Sequence, residues 1–187
     1  TKDRIREIIT GSDILFITAG MGGGTGTGGA PMIAELARKT DILTVGVVTL
    51  PFDWEGPVKR QQAQSGINEL KKYTDTLITI SNEKVFTIID EKTPYEVAFQ
   101  IVDDVLRQAV QSITEVIKTT GEVNRDFNDV RQILKDAGYA LIGIGEGVGD
   151  NRSDDACRRA LNKPLSEDIS MEGARKILVN ITVSEKE

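Results

Sequence analysis

A run of glycines and threonines is the strongest chemical signal in the sequence. The segment Gly20-Met21-Gly22-Gly23-Gly24-Thr25-Gly26-Thr27-Gly28-Gly29 holds seven glycines in ten residues. It follows an apolar stretch of strand length at 14–17 and precedes a helical pattern at 30–39. Because glycine lets a ligand approach the main chain, consecutive N–H groups can converge here on an anion at the positive end of the following helix. The pattern predicts a phosphate-binding loop.

Other interpretations of this run are weaker. It is not a P-loop, because no Gly-Lys-Ser/Thr follows it. It does satisfy the dinucleotide pattern G-x-G-x-x-G through Gly24, Gly26 and Gly29, with Asp53 at about the position of a ribose-binding acid. A run with this many glycines matches such patterns by chance, so the dinucleotide match is weak evidence. A simple turn is also a weaker interpretation, because it would need only one or two glycines. A nicotinamide-dependent dehydrogenase therefore stays open as a weaker alternative.

Two further stretches contain residues of chemical interest. Asp126 and Asp129 lead into a predicted helix, where acids alone indicate N-capping. The glycines at 143, 145, 147 and 149 follow a predicted strand, and we interpret them as a structural turn.

Composition excludes several classes of function. The 187 residues carry a formal net charge of −6, which disfavours nucleic acid as a partner. The chain has no histidine and one cysteine, Cys157, so histidine triads, zinc clusters and disulfide frameworks are excluded, and a reducing cytosolic setting fits best. No apolar run reaches the ~18 residues that would span a bilayer.

The elements that must position these residues follow from hydrophobic periodicity. We predict helices at about 5–9, 30–39, 57–72, 94–118, 127–137 and 152–161, a short helix after 81–83, and strands at 14–17, 42–49, 76–80, 139–144 and 176–182. Pro31 is expected in the first turn of its helix, and Gly121 is expected to stop the long one. Alternating strands and helices predict an α/β fold with a parallel sheet and right-handed crossovers.

Several motifs together resemble the tubulin and FtsZ superfamily, and bacterial-type FtsZ more closely than eukaryotic tubulin. In order, these are the glycine run at 22–28, Thr49-Leu50-Pro51-Phe52-Asp53-Trp54-Glu55-Gly56, Ser81-Asn82-Glu83-Lys84, Ala98-Phe99 with Asp103-Asp104, Asn124-Arg125-Asp126-Phe127-Asn128-Asp129, and Gly173-Ala174 before 177–182. The similarity extends through essentially the whole chain.

The resemblance implies a partial Rossmann-like GTPase domain over 1–119, whose long central helix at about 94–119 leads to a partial, smaller α/β domain over 120–187. It implies GTP or GDP as ligand, with Mg²⁺ accompanying the nucleotide and no residue assigned to the metal. The implied nucleotide-binding residues are Gly22, Gly23, Gly24, Thr25, Gly26, Thr27 and Gly28 at the phosphates, Thr49, Glu55 at the ribose, and Asn82, Phe99 and Asp103 around the nucleoside. Phe99 is alternatively a core residue. The arginine that the family commonly has three residues after the Glu-Gly pair is replaced here by Lys59. The resemblance therefore implies that either Lys59 or the adjacent Arg60 makes the contact with phosphate or ribose.

The resemblance also implies an interfacial active site. Asp126 and Asp129, with Asn124, are expected to enter the nucleotide pocket of the next subunit in a head-to-tail homopolymer and to drive GTP hydrolysis there. Asn128 and Arg125 depart from the family's usual residues, so a non-hydrolysing filament subunit or assembly regulator stays open as the alternative.

The expected setting is the cytoplasm at the division site, with no direct membrane insertion and with division proteins bound through regions outside this chain. The resemblance further implies that these residues are a central segment, completed by an N-terminal segment that also contacts the nucleotide.

Overall fold

In the part of the chain that the structure describes, eleven helices and strands and one 3₁₀ turn position the candidate residues. The computed structural model describes residues 2–85, 94–118, 127–162 and 172–183. In chain order the elements are α1 (Lys2–Ile9), β1 (Ile14–Gly20), α2 (Gly24–Arg38), β2 (Leu43–Leu50), the 3₁₀ turn Asp53–Glu55, α3 (Pro57–Leu70), β3 (Thr76–Ser81), α4 (Asn82–Val85), α5 (Tyr95–Lys118), α6 (Phe127–Leu134), β4 (Gly138–Ala140) and α7 (Arg152–Asn162).

The four strands form one parallel sheet in the order β1-β2-β3-β4. In its register Gly20 lies beside Thr49, and Leu50 lies beside Ser81. Strands β1, β2 and β3 therefore end together, at what we call the carboxyl edge, and the opposite end of the sheet is the amino edge. The predicted parallel α/β fold is confirmed.

Helices cover both faces of this sheet. Alternate side chains of β2 point to opposite faces, as the period of two in a strand requires. Val45 and Val47 pack against α5 and α6, whereas Val48 and Leu50 pack against α2 and α3. Every residue of β2 is buried, which makes this strand the centre of the core.

Helix α2 begins six residues earlier than the sequence pattern predicts. It starts at Gly24 rather than near residue 30, so Pro31 lies inside the helix and not in its first turn. The early start depends on close packing: a Cβ on Gly26 would lie 2.3 Å from the carbonyl oxygen of Gly20. The first turns of α2 thus lie against the end of β1, and this tertiary contact outweighs the poor helix propensity of glycine and proline.

Helix α5 crosses the whole sheet. Its 24 residues span about 36 Å at 1.5 Å per residue. This length agrees with the long helix predicted at 94–118. Ala98 and Val102 pack on Phe52 beyond the end of β2, while Ile113 lies in the cluster that includes Leu43 at the start of β2. The helix therefore runs from the carboxyl edge to the amino edge.

Of the elements predicted after α5, helix α7 agrees with its predicted bounds, whereas three others are shorter than expected or absent. Helix α6 ends at Leu134 rather than 137, and β4, at 138–140, includes only the first two residues of the strand predicted at 139–144. Residues 174–183 adopt neither helix nor strand in the described structure, so the strand predicted at 176–182 is wrong. A strand needs a neighbouring edge for its backbone hydrogen bonds, and β4 pairs only with 76–78 of β3. Gly121 lies outside the described residues.

The second glycine-rich stretch packs directly against helix α7. A Cβ on Gly143, Gly145 or Gly147 would lie 1.9, 1.9 or 1.8 Å from a backbone oxygen of that helix. No side chain fits at these three alternate positions. Their role in the structure is thus helix packing, and not the turn that we predicted.

We expect Gly145→Ala to lower the free energy of unfolding by about 2 kcal/mol, because the methyl group would force α7 away from the 143–147 segment. Urea unfolding followed by circular dichroism measures this change. Gly29→Ala is the matched control, since a Cβ at Gly29 meets nothing within 4 Å and lies inside α2. Equal stabilities of the two variants would contradict this packing.

Candidate functional site

The turn between β1 and α2 is held in place by its own main chain and by one hydroxyl. The N–H of Met21 donates to the carbonyl of Thr49 over 2.9 Å, which ties the turn to β2. The N–H of Gly22 donates to Oγ1 of Thr27 over 2.9 Å. Gly22 has a φ of 102°, a conformation that favours glycine. The turn and the first residues of α2 therefore form one rigid unit.

The glycines of this unit fall into two kinds. Gly22 and Gly26 are packed, since a Cβ on Gly22 would lie 2.9 Å from the carbonyl oxygen of Lys59 and Gly26 contacts the end of β1. Gly23, Gly24 and Gly28 face open space, where an added Cβ meets nothing within 4 Å. The packed glycines shape the turn, and the open ones leave the main chain accessible.

The open glycines surround the start of α2. Gly23 precedes the helix with extended backbone, and no side chain caps the helix there. The first N–H groups of a helix have no partner within the helix and carry partial positive charge. Thr25 is exposed in this first turn. The arrangement suits an anion that approaches the backbone closely.

Glu55 and the two cations after it are already paired. Oε1 of Glu55 accepts the N–H of Phe52 over 2.9 Å, and Oε2 accepts Nζ of Lys59 over 2.6 Å. Arg60 instead pairs with the Asp53 carboxylate. Lys59 and Arg60 thus point to different acids, and Lys59 is the one joined to the predicted ribose residue.

Asn82 lies where β3 ends and α4 begins. Its side chain is 6% exposed, and Oδ1 has no hydrogen-bond partner among the described residues. A buried polar atom without a partner costs free energy, so such an atom in a native fold calls for a ligand or water.

Phe99 and Asp103 lie one turn apart on α5. Asp103 is exposed, and Phe99 is 42% exposed, with its ring 5.1 Å from Phe52 in an edge-to-face contact. Phe99 therefore lies at the rim of the core, with part of its ring available to a ligand.

These predicted nucleotide-binding residues share one end of the molecule. The glycine turn follows β1. Thr49 lies at the end of β2, and the 51–56 segment comes directly after that strand. Asn82 follows β3, and the start of α5 packs on Phe52. Ligands of open parallel sheets bind at the carboxyl ends of the strands. The structure thus places these predicted residues at the carboxyl edge, and their binding of a nucleotide stays a prediction.

Asp129 lies at the other end. It is exposed in the first turn of α6. Arg131 of this helix and Lys135, directly after it, contact the Asp41 carboxylate at 3.3 and 2.9 Å. Asp41 precedes β2 at the amino edge. Oγ1 of Thr76, the first residue of β3, donates to the carbonyl of Leu134 and fixes the end of α6 at the same edge. Asp126 and Asn124 lie outside the described residues.

The contacts of Asp41 persist over a wide pH range. The hydrogen bond from Lys135 and the charges of Lys135 and Arg131 hold the pKa of the Asp41 carboxyl below its ordinary value of 3.8. Stability from a carboxyl with a lowered pKa is present above the ordinary pKa and is lost as the pH falls through the lowered one. The attachment of α6 is therefore intact at neutral pH.

Three contacting residues were not singled out by sequence reasoning. Asp41 and Thr76 hold α6 at the sheet, and Nζ of Lys176 donates to the Gln132 carbonyl over 2.6 Å in the last turn of that helix. Their side-chain types are common on surfaces, so no sequence pattern distinguishes them.

The described residues contain no cluster of three or more potential metal ligands among histidine, cysteine and acidic side chains. No helix in the described part of the chain has the length and apolarity needed to cross a bilayer.

Comparison with known proteins places these features in a family. Residues 1–90 match the model of the Tubulin/FtsZ family GTPase domain, and residues 138–186 match that of the FtsZ family C-terminal domain. The two matches occur along the chain in the order that the motifs predicted. Neither match supports the alternative interpretation as a nicotinamide-dependent dehydrogenase.

Solved structures agree with the family models. An empty FtsZ dimer from M. jannaschii is 47% identical over 87% of this chain and 47% of that one, with a TM-score of 0.83. A point variant of FtsZ from M. jannaschii is 46% identical over 88% of this chain and 49% of that one, with a TM-score of 0.84. CetZ from Methanosaeta thermophila, at 18% identity over 91% of this chain and 49% of that one, shares the fold, with a TM-score of 0.74.

The chain spans about half the length of the solved FtsZ structures that it matches. Both FtsZ structures nevertheless share the fold over most of this chain, and the two family models match its first 90 residues and residues 138–186. This chain belongs to the tubulin/FtsZ family.

Proposed function

We propose that this chain binds GTP at the carboxyl edge and polymerises head-to-tail into protofilaments of the cell-division ring, with GTP hydrolysed at the contact between subunits. Family membership supports guanine-nucleotide binding and GTPase chemistry in general. The cellular setting in this proposal is the cytoplasm at the division site, with other division proteins as further partners.

The separation of the two groups of candidate residues carries this proposal. The glycine turn lies at the carboxyl edge and Asp129 near the amino edge, and β2 between them has eight residues, or about 26 Å. An aspartate side chain reaches only a few ångströms, so Asp129 cannot contact a nucleotide bound to its own glycine turn. A head-to-tail contact brings the amino edge of the next subunit onto that nucleotide. Such a contact does not close on itself and therefore produces filaments.

The residues at the carboxyl edge fit the parts of GTP. The open positions at Gly23 and Gly24 leave room for phosphates beside the uncapped start of α2. Asp103 is an exposed carboxylate that can accept two hydrogen bonds from guanine N1 and its amino group, a donor pair that adenine lacks. The unpartnered Oδ1 of Asn82 fits the nucleoside as well.

The chemistry is mainly positioning and charge stabilisation. We assign the phosphate cradle to residues 22–28 and the orientation of the attacking water to Asp126 and Asp129 of the next subunit, with Asn124 bracing that loop. Glu55 and Lys59, which form one ion pair, lie beside the ribose in this assignment. Mg²⁺ bound through phosphate oxygens would neutralise developing negative charge.

GTP turnover per subunit is expected to rise above a threshold protein concentration, because the complete site needs two subunits. Phosphate release and light scattering, recorded on the same samples, measure both events, with the expected N-terminal segment supplied as a separate polypeptide. Turnover per subunit that is constant with concentration, without scattering, would move catalysis into one subunit and contradict the proposal.

A non-hydrolysing filament subunit or assembly regulator is the second candidate. Asn128 stands exposed beside Asp129, where the family usually has alanine, and adds polar bulk at the proposed contact. Scattering that depends on GTP but comes with no phosphate release would favour this candidate.

A further inference from the structure

Trp54 combines exposure with a fixed orientation. Its side chain is 55% exposed, although large apolar rings are normally buried. The indole ring stacks on buried Phe52, with centroids 5.4 Å apart and planes at 19°, and meets Phe99 at 6.2 Å with the planes nearly perpendicular. Two aromatic neighbours therefore hold the ring in place while much of its surface faces solvent.

The surroundings of Trp54 have the composition of a binding surface. Val58, in the first turn of α3, is 67% exposed, and Phe99 is partly exposed. We call Trp54 and Phe99, whose rings are in contact, the aromatic patch. Two ion pairs, Glu55–Lys59 and Asp53–Arg60, come from the same short segment as Trp54 and Val58. An apolar centre with charged neighbours is typical of protein interfaces, and tryptophan is among the residues whose loss costs an interface most.

We propose that Trp54 anchors the amino edge of a second copy of this chain in the head-to-tail contact. This inference rests on the proposed function. The patch lies at the carboxyl edge, where the glycine turn also lies, and in the proposed contact Asp129 of the next subunit approaches that same edge to reach the nucleotide. The incoming surface therefore passes over Trp54. Because the ring is already oriented by Phe52 and Phe99, little side-chain entropy is lost when it is covered.

Fluorescence tests the proposal directly, because Trp54 is the only tryptophan in the sequence. Acrylamide quenching of the unmodified chain is measured below the assembly threshold without nucleotide, with GDP and with GTP, and above the threshold with GTP, using the assembly mixture described above. We expect quenching to fall severalfold, with a blue-shifted emission maximum, only in the samples that scatter light.

Each other result has a distinct meaning. Scattering with unchanged quenching would overturn the anchor role alone. A fall in quenching on nucleotide addition below the threshold would show that the nucleotide itself covers Trp54, which also overturns it. No scattering at any concentration would contradict the proposed assembly, and this inference with it.

Substitution supplies a second, independent test. Trp54→Ala is expected to raise the threshold concentration by about tenfold or more while leaving GTP affinity below the threshold unchanged, and Trp54→Phe is expected to retain part of the effect. An unchanged threshold in Trp54→Ala, at native circular dichroism, would overturn the proposal. A loss of GTP affinity in that variant would assign Trp54 to the nucleotide instead.

Discussion

Asp129→Asn is expected to reduce GTP turnover by about 100-fold, since in the proposed mechanism the variant loses the charge that orients the attacking water but keeps the shape of the side chain. Asp129 lies far from the glycine turn of its own subunit, so GTP affinity measured below the assembly threshold should not change. Phosphate release and equilibrium binding measure the two quantities separately. The same substitution at Asp126 is expected to act in the same way.

Asp136→Asn is the matched control for this prediction. Asp136 is also an exposed acid close to α6, beyond its last turn, and its φ of 50° is one that asparagine tolerates. Turnover in this control should stay near that of the unmodified chain. Full activity in both the Asp126 and Asp129 variants would remove these acids from the mechanism and favour the non-hydrolysing candidate.

Gly24→Ala is expected to weaken GTP binding by about 100-fold without loss of stability. The added methyl group enters open space at the start of α2, where it would hold a phosphate away from the backbone N–H groups. Loss of one or two hydrogen bonds to a charged group, at about 1.5–3 kcal/mol each, accounts for this factor. Isothermal titration with GTP and urea unfolding measure the two effects.

The control for Gly24→Ala is Gly29→Ala, which adds a methyl group to the same helix about one turn later. Its Cβ also meets nothing within 4 Å, and Gly29 lies beyond the first turn that holds the free N–H groups. GTP affinity should therefore be unchanged. Equal affinities for the two variants would show that the phosphates do not approach Gly24.

Mixing the two defective variants distinguishes an interfacial site from an internal one. A filament that contains both Asp129→Asn and Gly24→Ala has contacts in which an intact glycine turn meets an intact acid. Turnover of the mixture should exceed that of either variant alone. If each subunit hydrolysed its own nucleotide, mixing would restore nothing.

Local patterns were enough to predict most of the fold. The apolar runs of β1, β2 and β3 and the long stripe of α5 are visible in the sequence because burial imposes a fixed period on each element. The start of α2 was not predictable, since it depends on contact between Gly26 and the Gly20 carbonyl, which only the folded chain creates. The strand predicted at 176–182 failed because an apolar run of strand length does not guarantee a pairing partner.

The site was predictable in part, by resemblance rather than by physics alone. Motif order pointed to the glycine run, Asn82 and Asp103, and the structure brings all of them to one edge. The sequence does not separate packed Gly26 from open Gly24, because both are simply glycine. Trp54 was part of a recognised motif, but only its stacking on Phe52 shows that its orientation is fixed. The domain boundary and the individual roles of the site residues stay predictions.

The packing of glycines 143, 145 and 147 on α7 affects how natural variation in this protein should be interpreted. Such positions cannot gain a side chain without displacing a helix, so selection would preserve them even in a relative that had lost all enzymatic activity. Open positions such as Gly23 and Gly24 have no such packing constraint, so under the proposed function they would vary freely once nucleotide binding was lost. A divergent relative that keeps the first set but not the second would therefore be a stably folded protein that has given up its nucleotide.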